Sequence, residues 1–311
     1  MKFKFFKKSL FLITFLVLTT TLITSCSLAK KAFIDNKKVQ VKKITEDNNP
    51  NISESTSNQT TDKVMDFNKK LNLRKPNEPI SKTPSILFLG NSFIFVNDLP
   101  SMFTELSNSG GFSPDVYDLT EGYYRLELFA DKNDEIGAQA YDALENYEWD
   151  YVILQEQSRV PTVFAETNMY PAARTLDQLI KNSGGQTVFF MTWAYKNGDD
   201  LSEFGMNLKT TREEMQTLVA NSYFSISEEL DSLLSPIGIA FMRCAEKYPE
   251  INLWDEEDLM HSSVNGTYLA ACTLYGTLYN ESPVGLTYTA DLDADTAAKL
   301  QEIADSVIFE S

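Results

Sequence analysis

From Thr83 onward, short apolar runs alternate with helical stretches. That alternation constrains the fold more than any other feature, because parallel strands need crossover connections long enough to carry a helix, and the helices then cover both faces of the sheet. The runs Ser85 to Leu89, Asp115 to Leu119, Tyr151 to Leu154, Thr187 to Thr192 and Ile237 to Met242 predict strands. Glu135 to Asn146, Pro171 to Lys181, Val264 to Leu278 and Ala294 to Ile308 predict helices. Asn97 is a candidate cap with Pro100 in the turn behind it, and Asn182-Ser183-Gly184-Gly185 is a helix stop. Thr211 and Glu214 form a capping-box pattern ahead of a long helix running through Leu234. The expected class is α/β, a doubly wound parallel sheet of five strands in one domain. With 43% hydrophobic and 12% aromatic residues, the chain can bury a core of that size.

Such sheets bind ligands beyond the carboxyl ends of their strands, and the chemically suggestive residues of this chain fall there. Gly90-Asn91-Ser92 follows the first strand, Gly122 the second, Gln155-Glu156-Gln157-Ser158 the third, and Trp193 and Tyr195 the fourth. Asp258-Leu259-Met260-His261 lies beyond the fifth and holds the one histidine among 311 residues. Histidine is the side-chain type that ordinarily exchanges protons near neutral pH, so His261 is the candidate base and Ser92 the candidate nucleophile. A carboxylate three residues before the imidazole can turn inward with it and hold Nδ1, which leaves Nε2 for the serine. Asp258 fits that role best, with Asp255, Glu256 and Glu257 as competitors that read as a solvated acidic turn. Taken singly, Gly-x-Ser also describes a helix-capping turn, and a lone histidine is often structural. Their order at the ends of successive strands is what favours chemistry.

In those blocks the chain resembles the SGNH (GDSL-like) hydrolase family from about Thr83 to Ile308, in its GNS-type branch: Ile86-Leu87-Phe88-Leu89-Gly90-Asn91-Ser92 matches the first block and Asp258-Leu259-Met260-His261 the last. The resemblance implies a three-layer α/β/α, flavodoxin-like fold. It also implies a catalytic set of Ser92, Asp258 and His261, and an oxyanion hole that begins with the N–H groups of Ser92 and Gly122. The family's third donor, an asparagine in a G-x-N-D block, has no counterpart after Tyr151-Val152-Ile153-Leu154. Gln155 or Gln157 can supply an amide instead, and Gln155 is preferred as the first residue past the strand. Asn91, Gln157, Trp193 and Tyr195 are further candidates for the oxyanion hole or pocket.

Basic residues number 27 against 44 acidic ones, a net charge of -17, which disfavours nucleic acid and polyanionic substrates. Residues 1–25 combine a lysine-rich start with a short apolar stretch and read as an export signal. They end in Leu22-Ile23-Thr24-Ser25-Cys26, which resembles the bacterial lipobox and makes Cys26 the expected lipidation site and membrane anchor. Residues 26–82, polar and poor in aromatics, are expected to form a disordered tether, and residues 83–311 the hydrolase domain. Its lysine-rich proximal part suits anionic headgroups or plain solvation equally. Cys244 and Cys272 can pair or remain as buried thiols, with the apolar neighbours favouring thiols. No CxxC, HExxH or glycine-rich phosphate loop is present, so neither a metal nor another cofactor is expected.

The expected protein is thus an exported, membrane-anchored serine esterase that removes acetyl or other short acyl groups, with acetylated carbohydrate the favoured substrate. Two alternatives stay open: a glycan-binding lipoprotein without turnover, and an acyltransferase.

Overall fold

The computed structural model describes residues 64–204 and 206–309. The signal segment, Cys26 and the tether as far as residue 63 lie outside the described residues. Five parallel strands form the central sheet: β1 (Ser85–Gly90), β2 (Asp115–Thr120), β3 (Tyr151–Leu154), β4 (Gln186–Phe190) and β5 (Leu233–Ser235). Their order is β2-β1-β3-β4-β5, the doubly wound arrangement in which the chain reverses direction between β1 and β3. Ile86 to Leu89 on β1 and Val152 to Leu154 on β3 are almost wholly shielded, as expected for central strands covered on both faces.

The main helices are α1 (Leu99–Ser109), α2 (Glu135–Asn146), α3 (Tyr170–Asn182), α4 (Arg212–Glu229), α5 (Ile237–Lys247), α6 (Val264–Tyr279) and α7 (Ala294–Phe309). Helices α1, α5, α6 and α7 pack together on one side of the sheet, and α2, α3 and α4 lie on the other. Every residue of α6 from Gly266 to Tyr279 is buried, so this helix is apolar all round and forms the centre of its layer. The capping box at the start of α4 forms as predicted, Thr211 accepting from the Glu214 N–H and Glu214 from the Thr211 N–H.

Three expectations need correction. Ile237 to Met242 is not the fifth strand but the first half of α5, and the strand is the shorter Leu233–Ser235. Ile237 to Cys244 are buried at every position, and a continuous apolar run shows no period that separates a buried helix from a buried strand. Helix α4 accordingly stops at Glu229 and not at Leu234. The domain also begins before residue 83: Phe67 is buried, the Arg243 guanidinium donates to the Phe67 carbonyl at 2.8 Å and the Lys69 carbonyl at 3.1 Å, and the Asn77 N–H donates to Gln186 Oε1 at 2.8 Å. Phe67, Leu71, Leu73 and Ile80 supply the apolar contacts that hold residues 64–82 on the domain. Cys244 and Cys272 are buried free thiols, and burial pushes Cys244 up to about 12.

Candidate active site

Ser92 opens a single helical turn, Ser92–Phe95, straight after β1. As the first helical residue it has no intrahelical partner for its N–H, which is free to meet a ligand. The turn is held from three sides. Asn91 caps it, its Oδ1 accepting from the Phe93 N–H at 3.1 Å. The Asn91 N–H donates to Gln155 Oε1 at 2.8 Å, and Asn91 Nδ2 donates to the Tyr124 carbonyl at 2.8 Å. Gly90 is required by the closeness of Gln155: a Cβ there would come within 2.5 Å of Gln155 Oε1.

The histidine arrives on a tight acidic turn between α5 and α6. Asp255 builds it, Oδ1 accepting from the N–H groups of Glu257 at 2.9 Å and Asp258 at 3.1 Å, while its own N–H donates to the His261 carbonyl at 2.8 Å. Leu259 takes a positive φ of 57° to complete the reversal. Asp258 then faces the imidazole, one carboxylate oxygen bonded to Nδ1 and the other accepting from the N–H groups of Met260 at 2.8 Å and His261 at 2.9 Å. Partial burial pushes the Asp258 carboxyl up, but the bonds from His261 and Met260 outweigh it and hold the group below its usual range.

These two segments meet. His261 Nε2 lies 2.7 Å from Ser92 Oγ although 169 positions separate them in the chain. The Phe93 ring meets the imidazole edge to face at 5.5 Å. Asn97, in a left-handed conformation, donates to the Ser262 carbonyl at 2.9 Å and to Thr267 Oγ1 at 3.0 Å. It therefore stitches the serine segment to the histidine segment and does not cap α1, whose cap is Asp98. Asn97 was visible in the sequence, but its partners depend on contacts 165 and 170 positions away.

Gly122 sits in the loop after β2, which is drawn against the serine turn on both sides of it: the Glu121 N–H donates to the Gly90 carbonyl at 3.3 Å, and Tyr124 receives Asn91 Nδ2. The Gly122 N–H itself donates to Glu121 Oε1 at 2.8 Å. Gln155 and Asn91 do not serve as amide donors to a ligand. Gln155 is fully buried, its Oε1 engaged by Asn91 and its Nε2 donating to the Glu156 carbonyl at 2.6 Å, and the Asn91 amide is committed to Tyr124. Gln157 is half-buried, with Oε1 accepting from the Arg159 N–H at 3.0 Å.

Trp193 and Tyr195 are not pocket walls either. Trp193 is fully shielded, its ring 4.7 Å from Phe93 and stacked 4.5 Å from Phe241, with Nε1 donating to the Met260 carbonyl at 3.0 Å. Tyr195 is buried and its hydroxyl is 2.8 Å from Ser158 Oγ. The aromatic side chains exposed near the serine are Phe95 and Tyr123.

No protein-family model matches the chain, and no curated protein matches it. Among solved structures, the chain is similar to a protein from Slackia heliotrinireducens assigned to the SGNH hydrolases: 28% identity, a TM-score of 0.55, 63% of this chain and 99% of that one covered. It also shares its fold with a DUF4886 family protein from Bacteroides uniformis, at 18% identity and a TM-score of 0.59, covering 73% of this chain and 95% of that one. In fold and in that likeness the chain resembles the SGNH/GDSL-like hydrolases.

Proposed function

We propose that this chain is a serine esterase working through an acyl-enzyme, with Ser92 as nucleophile, His261 as base and Asp258 as the residue that orients the imidazole. The observation that carries the reading is the 2.7 Å contact between His261 Nε2 and Ser92 Oγ, with Asp258 on the other ring nitrogen. Ser92 Oγ attacks the ester carbonyl as its proton passes to Nε2, and the tetrahedral oxyanion is met by the N–H of Ser92 and by that of Gly122 once Glu121 gives it up. The proton then goes to the departing alcohol, and water repeats the cycle to release the acid and free the serine. Asp258, held ionised by its hydrogen bonds, fixes the Nδ1–H tautomer and balances the imidazolium.

The favoured substrate is a short acyl ester, acetyl on a carbohydrate. Exposed Phe95 and Tyr123 take over the sugar-stacking role that buried Trp193 and Tyr195 cannot fill. Residues 1–25 and Cys26 support export and anchoring of the enzyme at a membrane by lipidation. A glycan-binding protein without turnover is the second reading, favoured by the commitment of both Asn91 and Gln155 amides to internal bonds, since one missing oxyanion donor typically lowers kcat about 10²-fold or more.

The test is labelling by a fluorophosphonate probe together with hydrolysis of a short-chain aryl ester and an acetylated oligosaccharide. Wild type should label at Ser92 and turn over, while Ser92→Ala and His261→Ala should lose turnover and keep the folded spectrum. Tight glycan binding without labelling would decide for the second reading.

A further inference from the structure

Next to Gln155 at the end of β3, the carboxyl of Glu156 is fully buried and takes no part in the steps above. Its Oε1 accepts the N–H groups of Gln157 at 2.7 Å and Leu126 at 3.3 Å. Oε2 is buried without a hydrogen-bond partner among the described residues. The bond to Leu126 crosses from the loop after β3 to the loop after β2. That second loop, which carries Gly122, is therefore anchored at residues 121 and 124 by the serine turn and at 126 by Glu156. The titratable and charged groups around the carboxyl are Arg125 and Glu127, and Tyr223 from α4, whose hydroxyl accepts the Glu156 N–H at 3.2 Å. Arg125 is paired with Glu127 at 2.5 Å and makes no ion pair with Glu156.

Resting on the active-site reading above, we propose that Glu156 is a positioning residue that works as a neutral carboxylic acid: protonated, it clamps the Gly122 loop against the loop after β3, and ionised, it releases that clamp. An anion at this position makes no ion pair, because the nearby Arg125 is paired with Glu127, and it has one oxygen without a donor, so it must reach water, and the surface loop is the part free to open. Burial is the dominant influence and pushes the carboxyl up to about 8, against the lowering effect of the Gln157 and Leu126 N–H groups. Because the folded value lies above the unfolded one, the stability this group contributes is present below the ordinary carboxylate range and is lost as pH rises towards about 8.

The experiment compares the full chain as wild type, Glu156→Gln and Glu156→Ala, measuring ester hydrolysis against pH and amide hydrogen exchange of residues 121–129 corrected for intrinsic rates. Glutamine keeps the acceptor and cannot ionise. Wild-type kcat should fall about tenfold for each unit of pH beyond the titration, Glu156→Gln should carry its plateau through that range, and Glu156→Ala should be depressed at every pH. Superimposable wild-type and glutamine profiles, or glutamine no better than alanine, would overturn the proposal. If wild type neither labels nor turns over, the active-site reading fails by itself and the exchange data decide the clamp. Protection of residues 121–129 lost above about pH 8 in wild type and retained in Glu156→Gln supports it, and identical protection in the two proteins refutes it.

Discussion

Trp193 donates its indole N–H to the carbonyl of Met260 at 3.0 Å, and the same ring lies 4.7 Å from Phe93. One buried side chain thus touches the immediate neighbour of His261 and the immediate neighbour of Ser92, and it bridges the two segments. Trp193→Phe keeps most of the packing and deletes the bond. It should destabilise the protein by about 1 kcal/mol, the cost of a part-buried carbonyl left without its donor. It should also lower kcat about tenfold through misplacement of the base. Thermal unfolding and steady-state kinetics on the same preparation check both, and a kcat equal to wild type would show that the two segments hold their spacing without this strut.

Asp258→Asn removes the charge that balances the imidazolium and should lower kcat on the order of 10³-fold or more while the fold persists. The carboxyl lies below its usual range in the folded protein, so its contribution to stability is present above the unfolded carboxylate range and lost as pH falls through the folded value. A plot of unfolding temperature against pH should therefore lose part of its acid slope in Asp258→Asn, below about pH 4.

Gln155, the preferred amide by sequence, and Gln157, its alternative, should behave differently. Gln155→Leu strands the buried Asn91 N–H and should destabilise the protein by about 1–3 kcal/mol while slowing fluorophosphonate labelling of Ser92. Gln157→Ala, at a half-buried position, should change stability by about 0.5 kcal/mol or less. Denaturant titration of the two variants separates a support for the serine turn from a surface amide.

Glu121 occupies with its own carboxylate the Gly122 N–H that the proposed mechanism assigns to the oxyanion. Glu121→Ala frees the donor and should raise kcat about two- to tenfold, within the range that a single oxyanion contact commands. A kcat below wild type would mean that the carboxylate helps to shape the loop and does not compete for the donor.

Anchoring of residues 64–82 gives a further check: Arg243→Ala leaves the Phe67 and Lys69 carbonyls without their guanidinium, and should cost about 2–4 kcal/mol of stability. Removal of residues 64–82 should be as damaging, which a tether would not be.

Alternation of apolar runs and helical periods in the chain was enough to specify a doubly wound sheet, the helix at Glu135–Asn146, the helix from Val264 to Leu278 that the structure extends to Tyr279, and the placement of Ser92 and His261 at strand or loop ends. Those features are local, carried by period and capping chemistry within a few residues. Ile237 to Met242 escaped because a fully buried run has no polar positions to reveal its period, and only its packing against α4, α6 and α7 makes it a helix. The assignments of Asn91, Gln155, Trp193 and Tyr195 to a ligand pocket failed for a related reason: a polar or aromatic residue just past a strand can face the cleft or the layer beneath it, and the direction is set by partners such as Tyr124, Glu156 and Met260 that lie on other segments. The sequence by itself determined the fold class and the identity of a serine, a histidine and an aspartate suited to one another. Tertiary structure alone decided that Nε2 reaches Oγ across 169 positions and which amides are used up in holding it there, because hydrogen bonds are directional and their partners are chosen by packing, not by order in the chain.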